Sequence, residues 1–318
     1  MATEVSINPV SSVAAEKRKK RKVLIKKYRF LYLIMGIIVL YYLIFHYFPI
    51  IMGVMISLKN MKIGNTITNA PFVGLQNYKA IFANPQIVST IRNTIWLSIL
   101  RLVWGFWPPI VLAIFIFDIV STRYKKICQT IVYIPHFFSW VVIYGIVFAF
   151  FSGNGFLNQI LIRLGLNTVP FMTSTSYFRS LLIGSQIWKG VGWGTILYFA
   201  AMTGIDPELF DACKIDGAGP IRRILAVTLP AVAPVIMFNL IMSLGNILNV
   251  DFEQVLLFYN PTVYEVGDII DTWVYRVGLG QRQYGIGAAV GLLKAVVGFV
   301  LILGSNYLSR RVAGRSMW

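Results

Sequence analysis

Asn239, Ser243, Asn246 and Asn249 follow one another at steps of four, three and three, a spacing that keeps them close to one helical face. Amides and hydroxyls donate and accept at once, so such a row matches the hydroxyls of a sugar-like solute without demanding charge. It serves also as hydrogen-bonding glue between apolar helices. A second face carries Ser185, Lys189 and Trp193. Trp193 can stack on a sugar ring, while Lys189 can meet an acidic group, bond a backbone carbonyl or snorkel. His136, Ser139 and Trp140 form a third group, in which packing or interfacial anchoring competes with ligand contact.

What is missing narrows the chemistry. No Gly-rich phosphate loop is present, and the dipeptide Gly-Lys does not occur. Two His and two Cys, widely scattered, supply no metal ligand set. No paired carboxylate or His/Cys constellation falls at membrane depth, so the expectation is a non-enzyme with no metal and no cofactor of its own. Asp118 is the single acid inside an apolar span, near one end. A proton- or sodium-coupled carrier usually places a carboxylate deeper, so the energy source is expected in a partner.

The sharpest punctuation runs from Asp206 to Pro230. Asp206 can cap a helix whose first turn holds Pro207 and Glu208. Gly217 is placed to end it in a left-handed conformation, and Gly219-Pro220 opens a second short helix to Leu229. That second helix carries Ile221, Ile224, Leu225 and Thr228 on one side and Arg222-Arg223 on the other. Two short helices with an elbow are expected.

The elements that must position these groups are membrane spans. Apolar residues are 57% of the chain and charged residues 13%, a balance rare in soluble domains. Six apolar stretches are long enough to cross a bilayer: 30–58, 91–120, 130–151, 178–202, 231–250 and 284–308. Their continuity excludes the alternation of a β-barrel, and Pro108-Pro109 and Pro135 predict kinks. The fold class is an all-α membrane protein of six transmembrane helices, in three parts. These are a basic arm (1–29), a transmembrane domain (30–308, with the elbow at 206–230) and a tail (309–318).

Charge sets the orientation. Nine of the 29 Lys and Arg lie in residues 1–29, and three each near Arg123, in the elbow and in the tail. The positive-inside rule therefore puts both termini and the elbow in the cytoplasm. Much of the net charge of +17 is this asymmetry. The arm Lys17–Lys22 reads as a topogenic anchor near anionic lipid rather than a nucleic-acid site. The first span is too long for a signal h-region and reads as a retained anchor. Cys128 and Cys213 fall on the cytoplasmic side, where a structural disulfide is not expected.

The elbow resembles the coupling loop of permease subunits in binding-protein-dependent ABC importers. The family pattern is Glu-Ala-Ala, two residues, Asp-Gly-Ala and a later Leu-Pro; Asp211-Ala212-Cys213, Asp216-Gly217-Ala218 and Leu229-Pro230 occupy those places. Phe48-Pro49-Ile50, Phe72–Tyr78, Asn93-Thr94, Ile134-Pro135 and Gly155–Asn158 are similar to the carbohydrate branch, including permeases for oligosaccharides and polysaccharide fragments. The resemblance implies the type I importer permease fold in a bacterial cytoplasmic membrane. It implies a second permease (a heterodimer), two ATPase subunits that hold ATP and magnesium, and an extracytoplasmic sugar-binding protein. In that scheme Gly217 is the pivot, Ala212 and Ala218 pack closely, and Asp211, Arg222 and Arg223 are rim charges. The fifth span, with Asn239, Ser243, Asn246 and Asn249, lines the pathway. Part of the acidic outer segment 251–284 meets the binding protein or is a solvated loop. The alternative is a self-sufficient carrier or channel for a polar solute, with the elbow a coincidence.

Overall fold

The computed structural model describes residues 23–313. Its described residues are helical, apart from connecting turns and one isolated antiparallel bridge between Lys59 and Phe72. The basic run Lys17–Lys22 and residues 314–318 of the expected tail lie outside the described residues.

Two units separate at Ile56. The first consists of helix α1 (Arg29–Ser57), in which no residue through Ile56 is buried. Its Ile, Leu, Phe and Tyr side chains point outward on all sides, a surface suited to hydrocarbon rather than water. A π-turn at Leu43–Tyr47 precedes Pro49. Proline lacks an N–H and its ring crowds the carbonyl four residues back, and a widened turn relieves both defects.

Among the described residues the second unit holds twelve further helices: α2 (Gln76–Ala83), α3 (Pro85–Asp118), α4 (Thr122–Tyr133), α5 (Trp140–Phe151), α6 (Phe156–Arg163), α7 (Thr175–Thr203), α8 (Pro207–Ile215), α9 (Pro220–Gly245), α10 (Phe252–Phe258), α11 (Tyr264–Gly267), α12 (Ile270–Trp273) and α13 (Tyr284–Ala313). Five stretches are long and apolar enough to cross a membrane: α1, α3, Trp140–Arg163, α9 and Tyr284–Gly304. The expected fourth span is the 29-residue α7, whose Arg179, Gln186, Lys189 and glycines keep it below that hydropathy. It packs against α3 over much of its length and also meets α4, α5, α9 and α11. A helix enclosed by protein need not be apolar all round.

Three expectations need correction. The third span is not continuous over 130–151: α4 gives way at Ile134–Phe137 to a 3-10 turn containing Pro135, and α5 restarts behind Ser139, whose hydroxyl caps it. The second helix of the elbow does not stop at Leu229, because α9 continues unbroken through Leu229-Pro230 to Gly245. A π-turn at Ile224–Thr228 absorbs Pro230 as the one in α1 absorbs Pro49. Finally, the segment 251–284 is largely helical and not a solvated loop.

In that segment Asp268 is 2% exposed. It takes a bidentate fork from Arg276, at 3.1 and 2.5 Å, and a 2.8 Å bond from the Thr272 hydroxyl. Arg276 also lies 4.4 Å over the Tyr264 ring. Burial by itself lowers the Arg276 pKa, but the hydrogen bond and charge of Asp268 override it and hold the pKa above its ordinary value. Asp271 pairs with Lys294 at 2.6 Å. Two of the acids expected to face outward are therefore spent inside the fold, while Glu253 and Glu265 stay exposed. The same end is tied to α3 and α7: Asn93 donates to the Glu265 carbonyl at 2.8 Å, and Arg179 donates to the Val266 carbonyl at 3.1 Å.

Buried apolar side chains gather in separate clusters. One, at this end, includes Leu97, Phe178, Leu182, Val255 and Phe258. Another, toward the elbow, includes Ile110, Ala113, Tyr198, Met202 and Val232. Along α3 the buried polar residues Ser98 and Arg101 follow Leu97 of the first cluster.

Close backbone crossings fix the packing. A Cβ on Gly192 of α7 would lie 1.9 Å from the Val132 carbonyl oxygen of α4, whereas one on Gly190 would meet nothing within 4 Å. Gly192→Ala is expected to destabilise the folded unit by roughly 1–3 kcal/mol, the usual effect of overpacking, with Gly190→Ala near neutral. Thermal unfolding of the two variants in detergent checks this; equal melting points would contradict the crossing.

Candidate functional sites: a polar cavity and a capped elbow

The first site is a cavity of about 230 Å³ between α3, α7 and the end of α9. From α3 it takes Ser98, Arg101, Gly105 and Pro109, and from α7 Gln186 and Tyr198. Asn239, Ser243, Asn246 and Asn249 all line it, so the structure brings the polar row together. The route differs from a single helical face. The fifth span ends at Gly245 rather than Val250, and Asn246 leaves helical geometry. A tight turn follows, in which the Asn249 N–H donates to the Asn246 carbonyl at 2.9 Å. Asn239 Nδ2 donates to the Tyr198 hydroxyl at 2.7 Å, and Asn246 Nδ2 to the Met242 carbonyl at 3.2 Å.

Pro108 and Pro109 shape the wall from α3. Gly194 gives the Pro109 ring room, since a Cβ there would stand 3.0 Å from it. Thr195 Oγ1 donates to the Pro109 carbonyl at 3.2 Å. Among the described residues, three polar atoms of the lining residues, Ser98 Oγ, Arg101 Nε and Gln186 Oε1, are fully buried and have no partner, although buried polar atoms are almost always satisfied. The sequence points to Arg101 alone of the three, since an arginine this deep in an apolar span is expected to have a buried partner or to face a cavity; Ser98 and Gln186 carry no such signal.

Lys189 and Trp193 go elsewhere. Lys189 Nζ donates to the carbonyls of His136, at 3.0 Å, and Phe138, and so closes the break in the third span. Trp193 stacks on His136 at 4.4 Å with 5° between the rings. Trp140, weighed with them, donates its indole N–H to Asp251 at 2.6 Å.

The second site is the elbow. Asp206 caps α8 by accepting from the Glu208 N–H at 3.0 Å. Gly217 has φ +71°. The Ala218 N–H donates to the Cys213 carbonyl at 2.9 Å and the Gly217 N–H to the Lys214 carbonyl at 3.0 Å, a complete Schellman closure. Asp211 forms an exposed pair with Lys214 at 2.9 Å. Ala212, Asp216, Arg222 and Pro230 are exposed, and Cys213, Ala218 and Leu229 are half-buried. Leu209, Ile215 and Ile221 stand out from the same segment as exposed apolar side chains.

Arg223 departs from the expected rim. It turns back to Asp118, the last residue of α3, at 2.8 Å, with both side chains about two-thirds or more buried. Phe210 of α8 lies 5.9 Å from Phe117, ring to ring, beside this pair. The elbow is therefore fastened to the end of α3.

An apolar helical bundle with a Schellman-closed elbow and a polar mid-depth cavity is the build of a transport subunit. Residues 109–314, more than half of the chain, match the family described as binding-protein-dependent transport system inner membrane component, and the chain belongs to that family. It is 38% identical to Protein LplB of Bacillus subtilis (strain 168) over 288 residues, 90% of each chain. It is 36% identical to the polygalacturonan/rhamnogalacturonan transport system permease protein YteP of the same organism over 313 residues, 97% of each. Among solved structures it is similar to a chain of a bacterial alginate ABC transporter in complex with an alginate pentasaccharide-bound periplasmic protein. That match has a TM-score of 0.84 at 38% identity, and covers 92% of this chain and 98% of the other.

The Arg223–Asp118 tie can be tested by exchange. Arg223→Asp alone is expected to destabilise the fold by on the order of 1 kcal/mol, as for a half-buried pair. Adding Asp118→Arg should recover most of the melting temperature; no recovery would show that the two side chains act independently.

Proposed function

We propose that this chain is a permease subunit of an ATP-driven importer of oligosaccharides in a bacterial cytoplasmic membrane. The observation that carries the reading is the Schellman-closed elbow, exposed on its outer side and fastened to α3 behind, in a member of this permease family. The names of the relatives support the carbohydrate: YteP is named for polygalacturonan and rhamnogalacturonan, AraP for arabinooligosaccharides, and the solved transporter for alginate.

A second, different permease subunit completes the pathway in a heterodimer. Two ATPase subunits dock at the elbow and hold ATP and magnesium, and an extracytoplasmic binding protein delivers the sugar to the opposite end. Both termini are cytoplasmic. Leu209, Ile215 and Ile221 supply apolar contact with an ATPase groove, Asp211 and Arg222 supply charge at its rim, and Gly217 is the pivot. The cavity residues Asn239, Ser243, Asn246 and Asn249 form this chain's share of the sugar pathway. Lys189 and Trp193 act on the pathway indirectly, by holding the bend in the third span.

Two experiments test the coupling. With Cys128→Ser, the native Cys213 should form an oxidant-induced cross-link to single cysteines in the ATPase groove, and ATP should change its yield. No cross-link across a full scan, with no co-purifying ATPase, would favour a self-sufficient carrier. Gly217→Val should still insert in the membrane but lose most ATP-dependent uptake, since a β-branched residue at positive φ costs roughly 1–3 kcal/mol of backbone strain. Normal uptake by that variant would remove the pivot role.

A further inference from the structure

We propose that Arg101 makes the cavity selective for acidic saccharides, its guanidinium reading a sugar carboxylate while the surrounding amides and hydroxyls take the sugar's hydroxyls; this rests on the saccharide reading above. Arg101 lies near the midpoint of the 34-residue α3 and is 8% exposed. Among the described residues it has no ion-pair partner. Asp251, whose field reaches it, is engaged by the Trp140 indole. One nitrogen, Nη2, is held by Gln254 Oε1. Gln254 is itself fixed, because its amide donates to the Leu182 carbonyl at 2.7 Å and to Ser185 Oγ at 2.8 Å. The guanidinium is thus oriented from behind, while its Nε stays without a partner.

A cation in this position is costly to maintain. A neutral sugar does nothing to offset that cost, whereas a carboxylate does so through charge-assisted hydrogen bonds to the fork. The other lining groups are neutral: Ser98, Gln186, Tyr198, Asn239, Ser243 and Asn249. A single guanidinium balances a carboxylate's one charge; a phosphate ester, with about −1.5 to −2 at neutral pH, is left partly unmatched.

The experiment uses the complete transporter with its native partner subunits in proteoliposomes. Its probes are a galacturonate trisaccharide and the methyl ester of the same trisaccharide. With the binding protein saturated by either probe, so that its own preference drops out, the wild type should take up the acid about tenfold faster than the ester, the size expected of one charged hydrogen bond in a buried site. Arg101→Gln should abolish that difference by weakening uptake of the acid far more than uptake of the ester, which offers no charge to the guanidinium. Arg101→Lys should keep part of the preference. The wild-type comparison does not depend on whether any variant folds. Equal handling of acid and ester by the wild type would overturn the proposal while leaving the permease function intact. So would an Arg101→Gln variant that loses both probes alike, since Arg101 would then be a strut for Gln254. A transporter that moves neither trisaccharide but carries a different class of solute would overturn both readings.

Discussion

Backbone and side-chain polar groups at membrane depth have no water to satisfy them, so the protein must do it, and this requirement organises the bundle. Several prolines in the apolar helices come with a device that meets it. At Pro135 the third span breaks, and the Lys189 ammonium takes the His136 and Phe138 carbonyls. At Pro49 and Pro230 the helix widens into a π-turn instead of breaking. At Pro108-Pro109, Thr195 reaches across from α7. A deep lysine therefore needs no ligand to account for it.

The same requirement explains why α7 is the least apolar of the long helices. Lipid-facing helices can satisfy only their own backbones. α7 meets α3, α4, α5, α9 and α11, so it can carry residues that serve its neighbours: Arg179 for the outer segment, Lys189 for the broken span, Thr195 for the proline pair, and Tyr198 for Asn239. Glycine does the complementary work by letting backbones approach, as Gly192 does at Val132.

The features legible in the sequence are those whose causes are local. Asp206 as a cap and Gly217 as a left-handed C-terminal residue follow from rules acting over four or five residues, and both are found. The apolar spans follow from composition. Less legible was anything settled by a distant partner. The Asp268–Arg276 fork turns an apparently solvated acidic segment into a buried tie; Thr272 and Arg276 lie only four and eight residues on, whereas Thr90 comes from a distant part of the chain. The expected end of the second elbow helix at Leu229 also fails, because the π-turn that carries α9 on past Pro230 depends on the wider fold. The row Asn239 to Asn249 reached one cavity even though the helix ends within it, because the closing turn keeps Asn249 on the same wall.

The unbroken course of α9 gives the elbow a direct mechanical route inward. Arg223 and Asn239 belong to one helical rod, and sixteen residues at the α-helical rise separate them by roughly 24 Å. Arg223 also grips Asp118, which ends α3, and α3 carries Arg101 to the same cavity from the other side. A pull on the elbow therefore reaches the cavity along two walls at once. The π-turn at Ile224–Thr228, the one irregular stretch of α9 on that route, sits immediately beside the Arg223 tie. On the proposed reading, an ATPase moving the elbow displaces α3 and the body of α9 together only while that tie holds, and the turn sets how much of the motion α9 receives. A carrier driven by an ion gradient has no use for such a linkage at its exposed end, since its driving charge must bind within the membrane.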